Sequence, residues 1–114
     1  MGLDTYAQPN EYDELSEEDA QAFMEADISL CGGVLSGNGD DGSFRGKVYD
    51  EIVHRITGHS LYHRWIPAEA VADMYRRLMS CRREDYPGRE EEIENLRRFF
   101  EVCADRKLGL FGWW

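Results

Sequence analysis

Leu108-Gly109-Leu110-Phe111-Gly112-Trp113-Trp114 closes the chain, and five of these seven residues are large and apolar. Chain ends are ordinarily polar and frayed, so a stretch of this kind needs cover. Either it returns across the body and adds core that a chain of 114 residues is short of, or it is presented to a partner. In the second case its tryptophans would act as binding anchors, and dimerisation or insertion into a partner's groove would follow. The expected disposition is the first.

Upstream of the tail the apolar residues recur every three or four positions, which is the helical period. Ile93, Leu96, Phe99, Phe100 and Cys103 predict a helix from about Arg89 to Lys107, with Glu90, Glu91, Glu92 and Glu94 near its positive end and Arg106 and Lys107 near its negative end. Tyr86-Pro87-Gly88 separates it from a third helix that starts at Pro67 and carries Val71, Met74, Tyr75, Leu78 and Met79 to about Arg83. Before Ile66-Pro67, Ser60 caps a short turn through Leu61, Tyr62 and Trp65. A second helix carries Phe44, Val48, Tyr49, Ile52, Val53 and Ile56 on one stripe, with Asp41 or Ser43 as its cap and Gly58 as a left-handed terminator.

The first helix starts at Ser16, whose hydroxyl and the acid at Asp19 approximate a capping box. Ala20, Phe23, Met24, Ile28, Cys31, Val34 and Leu35 extend its period to about residue 35. Gly32-Gly33 weakens that end, and a break or a short strand over residues 28–35 competes with the helix. Residues 1–15, with Pro9 and Asn10 and no period, read as an irregular arm. The fold expected is therefore all-α: a single-domain bundle of about four helices over residues 16–107, with an acidic N-terminal arm (1–15) and an aromatic C-terminal tail (108–114).

The net charge of −10 is unevenly spread, because residues 1–27 hold nine acids and no Lys or Arg. Like charge repels phosphates, so direct binding of nucleic acid or of an anionic membrane is not expected, and a basic partner is. Eleven arginines include the pairs Arg76-Arg77, Arg82-Arg83 and Arg97-Arg98. These suit salt bridging to neighbouring acids, or a basic ridge over which the acidic arm folds. Cys31, Cys81 and Cys103 are widely spaced in apolar settings, as reduced, buried thiols are. No basic start with an apolar run and cleavage site is present, and no apolar stretch approaches the ~20 residues that span a bilayer. The expected location is cytoplasmic.

Gly37-Asn38-Gly39-Asp40-Asp41-Gly42 has the letters of a dinucleotide fingerprint, but no strand is read before it and two aspartates stand where phosphate would sit. As a Ca²⁺ loop it fails in register, since placing Gly42 at the glycine position puts Val48 where a bidentate acid belongs. It reads as a helix-capping turn, or as a contact surface formed by Asp40, Asp41, Ser43, Arg45 and Lys47. His54, His59 and His63 lie within ten residues, and the last two have the spacing that brings imidazoles to one metal on a helix. Gly58 interrupts that helix and no cysteine is near.

The function expected is protein binding without catalysis, as an inhibitor or immunity-type regulator. It would act through the acidic arm, the Gly/Asp loop or Phe111, Trp113 and Trp114. No cofactor is called for, the partner is a protein of basic character, and a homodimer is the further option. The alternative is a small metal protein or enzyme centred on His54, His59 and His63.

Overall fold

Along the C-terminal stretch Leu108, Leu110 and Gly112 are buried, whereas Phe111 is half-buried and Trp113 exposed. That is the period of a strand, whose successive side chains point to opposite faces. The computed structural model describes residues 2–114. Among the described residues the elements run β1 (Asp4–Gln8), α1 (Glu17–Glu25), β2 (Ser43–Phe44), α2 (Gly46–Thr57), β3 (Trp65–Ile66), α3 (Ala68–Ser80), a 3-10 turn (Arg83–Asp85), α4 (Glu90–Arg106) and β4 (Gly109–Trp113).

The all-α bundle is overturned. The four strands form one antiparallel sheet in the order β2-β1-β4-β3, so the chain is mixed α/β. β1 pairs along its length with β4, from Asp4 opposite Trp113 to Gln8 opposite Gly109. β2 and β3 close the two edges through Thr5 opposite Phe44 and Trp65 opposite Phe111. The arm expected to be irregular is therefore a central strand from residue 4 to residue 8, and the tail is its neighbour.

The helical expectation fails because the main pairing joins opposite ends of the chain. Neither end advertises a strand alone: Asp-Thr-Tyr-Ala-Gln has few apolar groups to alternate, and β4 contains two glycines. Gly112 is required by close approach, since a Cβ there would overlap the carbonyl oxygen of His63. The turn before β3 lies against this strand, and the Gly112 amide donates to the Arg64 carbonyl at 3.1 Å.

Two helix boundaries also differ. α1 is capped as expected, with the Asp19 amide donating to Ser16 Oγ at 3.1 Å, but it ends at Glu25. Asp27 then takes a left-handed φ of 58°, and the chain continues without helix or strand. Ile28 and Leu30 are buried and Cys31, Val34 and Leu35 exposed, so neither the long helix nor the competing strand forms over residues 28–35. α2 starts at Gly46, with Phe44 in the strand before it and no side-chain cap from Asp41 or Ser43. The amide of Lys47 in its first turn instead donates to the Leu3 carbonyl at 3.0 Å, which ties the helix start to the entry of β1. Its end is the expected one: Gly58 adopts φ 77° and its amide returns to the His54 carbonyl.

One sheet face carries Thr5, Ala7, Phe44, Ile66 and Leu110 into the core. Phe99 of α4 is the centre of that core, 4.8 Å from the rings of both Phe23 and Phe44 and 6.1 Å from Phe100. Tilted and edge-on ring pairs of this kind add to area burial, and truncating Phe99 would cost about 3–5 kcal/mol. α4 ends where Lys107 turns left-handed (φ 56°), and the Leu108 amide bonds back to the Cys103 carbonyl, aiming the chain into β4. Two of the arginine pairs serve nearby acids, Arg76 and Arg77 holding Asp73 and Arg83 holding Glu94, whereas Arg97 donates to the Leu78 and Cys81 carbonyls and Arg98 to the carbonyl of Asp27, one of the N-terminal acids. No helix among the described residues is long and apolar enough to cross a membrane.

Candidate functional site

The opposite sheet face is only partly covered. In β1 Tyr6 and Gln8 point to it, and their register partners in β2 and β4 place Ser43, Phe111 and Trp113 on the same side. The segment between α1 and β2 crosses above this face and leaves a groove of about 590 Å³. Tyr6, Gln8, Phe111 and Trp113 are its floor, with Leu15, Ala20 and Leu35 as apolar walls and Glu14, Asp41 and Ser43 as polar ones. The volume lies in the range of ordinary ligand pockets.

The crossing segment is held at many points. The Leu30 amide donates to the Asn38 carbonyl at 2.8 Å, and the Arg45 amide donates to the Cys31 carbonyl at 2.9 Å. The Cys31 amide donates to the Tyr49 hydroxyl at 2.7 Å, and the Ser29 amide to Asn95 Oδ1 at 2.8 Å. Over the sheet, Tyr6 donates its hydroxyl to the Leu35 carbonyl at 2.6 Å and Ser36 donates to Asp4. Ser43 Oγ accepts from the Gly37 amide and donates to Asp41 Oδ1, both at 2.8 Å. That hydroxyl thereby shapes the turn.

The aromatic floor is continuous. Tyr6 and Phe111 are 6.4 Å apart, Phe111 and Trp113 stack nearly parallel at 6.4 Å, and Arg64 Cζ lies 5.8 and 5.5 Å from the centroids of these last two. The charged side chains lining the groove, Glu14 and Asp41, are both acids. Burial raises the pKa of Tyr6 above the usual tyrosine value, and the carboxylates of Asp4 and Asp41 raise it further.

Of the residues read from sequence as a contact surface, the structure gathers Asp41, Ser43, Phe111 and Trp113 into this one groove. Asp40 is exposed outside its lining, Arg45 is half-buried beside Gly2 and Gly33, and Lys47 is exposed on the first turn of α2. Trp114 lies past the end of β4, edge-on to Tyr62 at 5.6 Å. Sequence reasoning missed Tyr6, Gln8, Glu14, Leu15, Ala20 and Leu35. Only Tyr6 and Gln8 among them share a signal, the period of two in β1, and Thr5 and Ala7 are too weakly apolar to display it.

The histidines do not converge. His54 and His63 are exposed, and His59 Nε2 lies 3.3 Å from Asp73 Oδ2. Partial desolvation pushes the Asp73 carboxyl up, but the His59 hydrogen bond together with Arg77 and Arg76 outweighs it, and the pKa falls below the usual value. Among the described residues no group of three or more His, Cys, Asp or Glu is placed to hold a metal ion. Cys103 is buried, and desolvation drives its thiol pKa upward, while Cys31, expected to be buried, is exposed and Cys81 is half-buried.

Fold and site together define a two-layer α/β chain with an aromatic, acid-rimmed groove on the sheet face away from the helical core. Comparison with known protein families, curated proteins and solved structures yields no match to this chain.

Proposed function

We propose that the protein acts by binding, and that its groove takes an extended apolar segment of a partner protein. The observation that carries this reading is the exposure of large apolar groups at a built concavity: Leu35 is 61% and Trp113 48% exposed at the groove that Tyr6 and Phe111 floor. Aromatic anchors beside a half-filled apolar groove are where interface energy concentrates. The polar groups beside them, the Ser43 and Tyr6 hydroxyls, are engaged in internal hydrogen bonds, which favours recognition over catalysis. Three unpaired thiols fit a reducing compartment, and a cytoplasmic regulator or inhibitor is the form of binding protein this chain suits.

A photo-crosslinking residue placed at Leu35 should capture the partner in stoichiometric yield from the host cell, and Trp113→Ala should abolish that adduct. The same crosslinker at Met79, exposed on α3 outside the groove lining, should capture nothing comparable. Equal capture at Met79, or an adduct indifferent to Trp113→Ala, would place the contact elsewhere and end this reading.

A further inference from the structure

Resting on the groove as the binding site, we infer that its occupant is a second copy of this chain: two sheet faces pack about a two-fold axis, and the Val34–Leu35 stretch of each lies over the Phe111–Trp113 floor of the other. An isologous interface has to be self-complementary, so each projection needs a hollow and each charge an opposite at the position the two-fold relates to it. The outer sheet face is built in two halves that meet this condition. Over β1 and β2 it is high, because Tyr6 and Asp4 fasten Leu35 and Ser36 there and Ser43 fastens Gly37. Val34 and Leu35 form the crest of that half and are 95% and 61% exposed. Over β4 and β3 the face is low, and it consists of the half-buried Phe111 and Trp65, which are register partners, and of the exposed Trp113.

Charge follows the same division. Asp41 precedes β2, and Glu14 adjoins Leu15, which lies against Gly42, so both acids stand at the β2 edge. Arg64 precedes β3 at the other edge and lies over the rings of Phe111 and Trp113. None of these three makes an ion pair among the described residues. Neighbouring strands are about 4.8 Å apart, so in the order β2-β1-β4-β3 roughly 14 Å separates the acidic edge from the basic one. A two-fold axis parallel to the strands, lying between the two faces and midway between β1 and β4, reverses this order. It sets the crest of one copy over the low half of the other and Arg64 over the partner's Glu14 and the partner's Asp41. A foreign apolar segment would cover the floor and leave the charges at both edges unmatched, whereas a second copy supplies both signs in the required order.

The test uses the full chain at about 150 mM salt, where repulsion between two chains of net charge −10 is screened beyond about 8 Å. Sedimentation velocity should show a monomer of 13.2 kDa passing reversibly to a dimer of twice that mass across about 1–200 μM. Val34→Asp, at a position almost without cover in the single chain, and Trp113→Ala should each weaken the dimer about tenfold or more while the amide spectrum stays that of the folded protein. Arg64→Glu and Glu14→Arg should each weaken it by roughly threefold to tenfold. An equimolar mixture of these two variants should recover the original affinity as a heterodimer, because each substituted side chain then faces an opposite charge. A monomer at every concentration, or a dimer indifferent to Val34→Asp and Trp113→Ala, overturns the second copy as occupant. A mixture no tighter than its components overturns this two-fold. In the crosslinking experiment a Leu35 adduct with a different chain overturns the second copy alone and leaves the groove a binding site, whereas the absence of any Leu35 adduct ends both.

Discussion

Tyr6 shows how much one side chain carries in a protein this small. Its backbone is in the central strand, its ring is part of the groove floor, and its hydroxyl fastens the crossing segment through the Leu35 carbonyl. Burial, then Asp4 and Asp41, raise its pKa above the ordinary value near 10. A group whose folded pKa is raised contributes stability that is present below its unfolded value and lost as pH rises through the folded one. Alkaline denaturation should therefore include a component from Tyr6 that begins near the ordinary tyrosine value and is complete only above it, at the folded-state value. Tyr6→Phe should remove that component and cost about 1 kcal/mol at neutral pH for the lost hydrogen bond, read from urea melts across an alkaline pH series. An unchanged alkaline limb in Tyr6→Phe would mean that the hydroxyl ionises at the same pH in the folded and the unfolded chain.

The element that makes the groove is the irregular segment from residue 26 to residue 42, which has no repeating hydrogen-bond ladder and so depends on single attachments. Asn95 is one of them: a buried side chain of α4 that accepts from the Ser29 amide and donates to the Glu91 carbonyl. Asn95→Ala should leave the helices and the sheet in place while the Ser29 amide loses about tenfold or more in exchange protection, measured by hydrogen exchange with site resolution. If protection at Ser29 is unaltered, the segment is held by its other bonds, such as that of Cys31 to Tyr49, and Asn95 serves only α4. This segment is also where the sequence misleads most. Ile28, Cys31, Val34 and Leu35 have helical spacing, yet only the first of them is buried, because the left-handed turn at Asp27 redirects the chain before the period can be used.

At the scale of the whole molecule, β4 lies between β1 and β3 and joins both termini to one sheet, so the fold closes only when the last residues are in place. A chain ending at Leu108 would take the β4 partner from both β1 and β3 and expose the side of α3 against which β4 packs. It should therefore fail to fold cooperatively, giving weak helical circular dichroism and collapsed amide dispersion. An all-helical bundle would survive the same truncation almost intact, which makes the experiment a direct discrimination between the two architectures. Pairing between chain ends closes the longest available loop, so β4 should also be among the late elements to form.

Helix existence was legible from sequence because it is encoded locally. The stripe of α4, most of the stripes of α2 and α3, the Ser16 cap, the Gly58 terminator and the charge arrangement on α4 depend on residues three to five apart and are seen in the structure, although Phe44 lies in β2 and Val48 and Met79 are exposed. The sheet was not, because its hydrogen bonds join residues that share no sequence neighbourhood, and Thr5, Ala7, Gly109 and Gly112 carry too little hydrophobic contrast to mark a face. For the same reason Asp41, Ser43, Phe111 and Trp113 could be singled out one segment at a time but not assembled. Their meeting with Tyr6, Gln8 and Glu14 is a consequence of strand register, and register is set only when the two ends of the chain pair.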